Sequence, residues 1–309
     1  MLELAALKSL IKDDLKGVNE LINTTLASNI EKLNEIYTFL DESKGKQIRA
    51  ALIILIGKTQ LNANNIQHLA ASIELMHLAS LVHDDIIDEA EFRRNQACVY
   101  QKFGLNNGII IGVHLYSAAL KLATTIGQVD IVTAISDAVT ALCEGEFIQV
   151  NERHNFNLTF DDYWTIVSKK TSSLFACSCL TGAMLGGYSE EDQQTLKTFG
   201  YLIGDIFQLS DDYLDIYDTK NKLSKKVDQD FVTGDISLPM IIAGQATQSS
   251  NSAEIKDYLV NNGDLISKEI KQIIESKIRE TKLTLSKLSS QSTVSQLTQL
   301  LTFLENRIN

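Results

Sequence analysis

The sequence predicts an all-α fold: one domain built as a bundle of long helices. Three observations carry that prediction. Proline, which breaks helix interiors, occurs once in 309 residues, at Pro239. Apolar residues recur at three- and four-residue spacing through most of the chain. No apolar–polar alternation persists long enough to build a sheet.

The elements follow in order. "MLELAALKSLIKDDLKG" (1–17) reads as an amphipathic helix and lacks the basic region and long apolar core of a leader. Ile66, Leu69, Ala70, Ile73, His77, Leu81 and Asp84 mark one face of a long helix. Similar patterns run through 105–125, 130–150, 160–186, 190–218 and 265–308, separated by short polar breaks at 61–65, 154–159, 218–230 and 261–264. The tail from 265 is richer in Ser, Thr, Gln and Lys but keeps a stripe of Leu283, Leu285, Leu288, Leu297, Leu300, Leu301 and Leu304, so it is expected on the outside of the bundle. No Pro/Gly/Ser-rich linker divides the chain, and residues 1–309 read as a single domain.

Hydrophobic residues at 44% and charged residues at 22% are ordinary globular composition. A net charge of −11 argues against a direct nucleic-acid binder, which needs a basic surface, but it admits a phosphorylated substrate reached through metal ions. Cys98, Cys143, Cys177 and Cys179 show no zinc-like pairing with the five histidines and read as free buried thiols of a reducing compartment. No apolar run is expected to approach the ~20 residues of a membrane span, which places the chain in the cytoplasm.

Chemistry concentrates in two acidic clusters. In "LVHDDIIDEAEFRR" (81–94), Asp84 and Asp88 stand one helical turn apart, with Asp85 beside them and Arg93 and Arg94 following. Carboxylates this close raise one another's pKa and weaken a helix unless a cation sits among them, and magnesium accepts one or two carboxylates while leaving positions for water and phosphate oxygens. "FQLSDDYLDIYD" (207–218) repeats the spacing as Asp211, Asp212 and Asp215, with Gln208 one turn earlier and Lys225 and Lys226 in the loop beyond. Two such sets suit a diphosphate held by several metal ions.

These motifs resemble those of the trans-isoprenyl diphosphate synthases (polyprenyl synthases). "KGKQIRA" (44–50), "ELMHLASLVHDDIIDEAEFRR" (74–94), "GEFIQ" (145–149), "KTSSLFACSCLTGAML" (170–185), "GDIFQLSDDYLD" (204–215), "KKVDQD" (225–230) and "GDISLP" (234–239) each resemble a family segment, and the matches span about 44–245. The resemblance implies an isoprenoid-synthase bundle around a central cavity. It implies that Asp84, Asp85, Asp88, Asp211, Asp212 and Asp215 hold magnesium on an allylic diphosphate. It implies that Arg93, Lys170 and Lys225 contact that diphosphate, assisted by Thr171 and Gln208, and that Lys46, Arg49, His77 and Arg94 bind isopentenyl diphosphate. His83 turns away from the His77 face and reads as structural.

The reaction so implied is ionisation of the allylic diphosphate, condensation with isopentenyl diphosphate and proton loss to the released pyrophosphate. The growing chain should run down the helix that carries Asp84, past the small Ser80 and Ala79 to Met76, Ile73 and Ser72, at ~5.4 Å per turn. That opening implies a medium- or long-chain product of about six to eight isoprene units. A short-chain (farnesyl or geranylgeranyl) product is expected instead if residues 109–118 close the route through Tyr116 or His114. The chain departs from the family pattern at Lys44, Gln47, Ala50 and Val113, and Asp235 stands where many members carry a second diphosphate-binding lysine. That last departure is shared with catalytic subunits of two-component synthases, so a homodimer or a heterodimer with a small non-catalytic subunit is expected. A class I terpene cyclase would need a different second metal motif, absent from 204–215. A metal-dependent phosphohydrolase built on His83-Asp84 would leave the second acidic cluster unexplained.

Overall fold

The computed structural model describes residues 9–42, 45–59, 62–94, 96–217, 231 and 233–306. The helices are α1 (Lys12–Leu26), α2 (Glu31–Asp41), α3 (Ile48–Gly57), α4 (Ala63–Ile87), α5 (Val99–Phe103), α6 (Leu105–Thr125), α7 (Val129–Asn151), α8 (Phe160–Val167), α9 (Ser173–Gly186), α10 (Glu190–Tyr217), α11 (Leu238–Thr247), α12 (Ser252–Asn261), α13 (Gly263–Leu285) and α14 (Gln291–Glu305). Two two-residue strands, β1 (Phe92–Arg93) and β2 (Gln96–Ala97), form an antiparallel hairpin. The all-α expectation therefore holds. The expected helix 160–186 contains a π-helical turn at Ser168–Ser172, and the expected helix 265–308 breaks between Leu285 and Gln291, where Ser290 caps α14 by accepting from the Thr293 N–H.

The chain divides into two compact units: Ala6–Ser136 with Ser178–Gln193, and Asp137–Cys177 with Gln194–Asn309. In the first, α4 is the central element, packed on α1, α3 and α6. The sequence of α3, "IRAALIILIG", is apolar all round and every residue but Arg49 is buried, as an interior helix requires. Gly112 of α6 permits close approach to α4, because a Cβ there would lie 2.0 Å from the His83 Nε2. His83 also faces the Ile109 carbonyl at 3.2 Å and the Tyr116 ring at 5.9 Å, so it serves α4–α6 packing.

Helix α6 corrects one expectation. It is long and apolar enough to cross a membrane by length and composition. Gly108, Ile111, Gly112, Leu115, Ala119 and Leu122 are buried on one side, while Ile109, Ile110 and Val113 are exposed on the other. Apolar residues on both faces create the long run that the sequence reading missed.

In the second unit, Phe175, Phe199, Ile203, Ile206 and Leu209 form a core with no exposure. Gly204 of α10 lets the π turn approach, since a Cβ there would lie 2.4 Å from the Ser172 Cα. Helices α13 and α14 pack on each other, and Ile270, Ile274, Leu297 and Leu300 on them are fully buried. The cysteine expectation holds for three of the four: Cys98, Cys177 and Cys179 are free and buried, whereas Cys143 is free but exposed.

Candidate active site

Both acidic motifs lie at helix C-termini, the first in the last turn of α4 and the second in the last two turns of α10. The helix dipole is negative there, so carboxylates at that end are disfavoured by about 0.3–1 kcal/mol each. Their placement opposes stability.

In the first unit, Asp84 and Asp88 are half-buried one turn apart, and Asp88 ends the helix with its N–H donating to the Asp84 carbonyl at 2.8 Å. Asp85 is buried, and its Oδ1 accepts from Arg93 Nε at 2.6 Å. Arg93 lies on β1, and the next residue, Arg94, turns the hairpin with a left-handed φ of 51°. Arg94 rests on another segment: a Cβ on Gly45 would lie 3.0 Å from both of its terminal nitrogens.

Behind this hairpin sits a cationic cluster. Arg49 occupies the first turn of α3, where the Ala50 N–H donates to Glu74 Oε1 at 3.0 Å. Burial lowers the Arg49 pKa to about 10 against the opposing pull of Glu74, so the guanidinium stays charged at neutral pH. His77 lies well below its ordinary value, first through burial and then through Arg49, Arg94 and Arg93. Three guanidiniums act on one neutral imidazole here, a local concentration of positive charge in a chain whose net charge is −11. Lys46 is exposed on the segment leading into α3.

In the second unit, the π turn carries Lys170 and Thr171. Gly145 of α7 lets it approach, since a Cβ there would lie 2.6 Å from the Lys170 N. Lys170 pairs with the buried Glu146. Thr171 Oγ1 donates to Gln208 Oε1 at 3.0 Å, and Gln208 Nε2 donates to Asp212 Oδ1 at 3.0 Å. Asp212 is buried, and its Oδ2 accepts from the Tyr163 hydroxyl at 2.8 Å and the Leu238 N–H at 3.3 Å. Burial, and then Asp212, Asp205 and Asp211, push the Tyr163 pKa well above 10, so the phenol remains a donor. The turn is braced from behind: Asp205 accepts from Ser172 Oγ at 2.7 Å and from Lys277 Nζ at 2.9 Å.

Among the expected site residues, the structure thus groups Arg49, His77, Arg93 and Arg94 with Asp85, and Thr171 and Gln208 with Asp212. Asp211 is half-buried on α10. The Asp215 side chain, Lys44, Lys225 and Lys226 lie outside the described residues. Asp235 is paired with Arg153, Nε to Oδ1 at 3.0 Å. Sequence reasoning missed Tyr163, Glu74, Arg153, Asp205 and Lys277. The role of each comes from a partner 24 to 82 positions away, which no local pattern reveals.

Among the described residues no three His, Cys, Asp or Glu side chains are gathered into a ready-made metal cage. Asp84 and Asp88 nonetheless fit magnesium, which takes one or two carboxylates and keeps its remaining positions for water and phosphate.

The polyprenyl synthetase family model matches residues 30–277. The chain is 30% identical over 243 residues to heptaprenyl diphosphate synthase component 2 of Geobacillus stearothermophilus, covering 78% of this chain and 76% of that protein. It is likewise 30% identical over 243 residues to octaprenyl diphosphate synthase of Escherichia coli strain K12, covering 78% and 75%. A crystal structure of a decaprenyl diphosphate synthase from Rhodobacter capsulatus is similar at a TM-score of 0.89 and 25% identity, over 99% of both chains. The chain belongs to the polyprenyl synthetase family, and is a prenyltransferase of the all-α isoprenoid-synthase fold.

Proposed function

We propose that this protein condenses an allylic diphosphate with isopentenyl diphosphate to make a medium- or long-chain trans-polyprenyl diphosphate. The observation that carries the reading is the pairing of an aspartate turn with a cationic cluster: Asp84 and Asp88 beside the half-buried Arg93, then half-buried Arg49, exposed Arg94 and a neutral His77. In this reading Asp84, Asp88, Asp211, Asp212 and Asp215 hold magnesium, while Asp85 orients Arg93. Magnesium, when bound, supplies positive charge to the leaving diphosphate.

Arg93, Lys170 and Lys225 bind the allylic diphosphate, with Thr171 and Gln208 positioning it. Their fixed charges meet the negative charge that develops as the carbon–oxygen bond breaks. Lys46, Arg49 and Arg94 hold isopentenyl diphosphate, and neutral His77 donates a hydrogen bond to it. This holds the double bond against the allylic carbon. The released pyrophosphate takes the proton lost after condensation.

The product grows along α4, where Ala79 and Ser80 are buried and small. Relatives named as hepta- and octaprenyl diphosphate synthases support a product of about that length. The relative named component 2, and the exposed Leu105, Ile109, Ile110 and Val113 on α6, support action with a second chain, another copy or a small non-catalytic subunit. Residues 1–309 act as one synthase domain in the cytoplasm.

The experiment is pyrophosphate release by the purified chain with magnesium, farnesyl diphosphate and isopentenyl diphosphate. Release that requires both substrates supports the reading. Orthophosphate release from either substrate alone supports a phosphohydrolase, and pyrophosphate with a cyclic hydrocarbon from farnesyl diphosphate alone supports a terpene cyclase.

A further inference from the structure

The end of α7 grips the segment that leads into α11. Arg153 Nε donates to Asp235 Oδ1 at 3.0 Å, its Nη2 reaches Oδ2 at 3.5 Å, and Gln149 Nε2 donates to Oδ1 at 3.2 Å. One residue earlier, the Gly234 carbonyl accepts from the His154 N–H at 2.8 Å. Both residues of that contact have left-handed backbones, φ 78° at Gly234 and 63° at His154, and a Cβ on Gly234 would lie 2.5 Å from the His154 ring. Non-glycine residues adopt such a φ only where the surroundings hold them there. The segment is therefore fixed by backbone, ring and ion pair together.

Three residues beyond Asp235, α11 begins. Its first turn has N–H groups that no intrahelical carbonyl can satisfy, and Pro239 removes one of them. The Leu238 N–H is met by Asp212 Oδ2 at 3.3 Å, so a carboxylate of the second acidic motif caps α11 from α10. Tyr163 and Gln208 also donate to that carboxylate. Asp235 carries charge that Arg153 neutralises, and the partly exposed pair, with side-chain exposures of 22% and 27%, adds little stability of its own. Its geometric effect is to set where α11 starts.

We propose that Arg153 is a positioning residue for the second acidic motif. By holding Asp235 it places the Leu238 N–H on Asp212, and the resulting fixed carboxylate sets the motif's affinity for a divalent cation. The inference rests on the proposed metal role of Asp211 and Asp212.

The test uses the full chain carrying Asp84→Asn and Asp88→Asn as parent, so that Mn2+ binding in the presence of inorganic pyrophosphate reports the second motif. Arg153→Met and the exchange Arg153→Asp with Asp235→Arg are added to it. Amide hydrogen exchange at Leu238 and Mn2+ affinity by electron paramagnetic resonance are the readouts. Arg153→Met should speed Leu238 exchange and weaken Mn2+ by about tenfold or more, and the charge exchange should restore both. In the otherwise native chain, Arg153→Met should leave the KM for isopentenyl diphosphate unchanged. A parent that binds no Mn2+ overturns the metal reading of the motif and this inference with it. A parent that binds, with Arg153→Met leaving both readouts unmoved, overturns this inference alone. Failure of the charge exchange to restore either readout also overturns it, since packing rather than the pair would then be responsible.

Discussion

Arg93 Nε lies 2.6 Å from Asp85 Oδ1, which occupies the middle aspartate of the first acidic motif with an arginine from the following hairpin. Asp84 and Asp88 stand one turn apart at the end of α4, half-buried where Asp85 is buried. The three aspartates, alike in sequence, thus differ in burial, and in the proposed reading Asp84 and Asp88 hold the cation while Asp85 orients Arg93.

Their substitutions should divide the same way. Asp84→Asn and Asp88→Asn each remove a carboxylate from the proposed metal and should lower kcat by about a thousandfold or more. Asp85→Asn still offers Arg93 an acceptor but loses the charge. It should cost about 10–100-fold, mostly in KM for the allylic diphosphate. Steady-state kinetics on the three variants checks this, and equal losses at all three would contradict the division.

The Tyr163 hydroxyl donates to the buried Asp212 carboxylate at 2.8 Å, alongside Gln208 Nε2 and the Leu238 N–H. Tyr163→Phe should lower stability by about 1.5–3 kcal/mol, the range for hydrogen bonds to charged groups. Because the phenol's pKa lies well above 10, the loss should be the same throughout the neutral range. Urea denaturation of the variant against the native chain measures it, and an unchanged midpoint would mean that the bond contributes nothing net.

His77 gives a signed pH prediction. Its pKa is ordinarily 6.5 and is held well below that in the folded chain, by burial first and then by Arg49, Arg94 and Arg93. Above pH 6.5 the ring is neutral both folded and unfolded, and its contribution to stability is fully present. Below that pH the unfolded chain takes a proton that the folded chain refuses, so stability falls as pH falls, with a slope approaching about 1.4 kcal/mol per pH unit. His77→Gln, which never titrates, should flatten that limb between pH 6.5 and 5 while leaving the alkaline side unchanged. Parallel slopes for the two proteins would contradict the buried, neutral assignment.

How much of this was legible in the sequence follows from how local each signal is. Helix periodicity is carried within a few turns, so α4, α6, α7 and α10 were readable, and so was the aspartate spacing at 84–88 and 211–215. The π turn at Ser168–Ser172 was not, because it arises where Gly145 and Gly204 allow other helices to approach it. The division among Asp84, Asp85 and Asp88 was hidden as well, since it depends on a hairpin that turns at a left-handed Arg94. Asp235 read as a lost cation, and only its pairing with Arg153 and Gln149 shows what holds it. The long apolar character of α6 escaped notice because its exposed side is apolar too.

The central claim, prenyl transfer to medium or long chain length, is tested most directly by one measurement. The purified chain is incubated with magnesium, farnesyl diphosphate and isopentenyl diphosphate, and the dephosphorylated products are sized by mass. With Ala79 and Ser80 small along α4, a ladder of trans-prenols ending at about six to eight isoprene units is predicted, with one pyrophosphate released per unit added. Products that stop at geranylgeranyl length would contradict the open route past Ser80, and orthophosphate without any elongation would contradict the reaction itself.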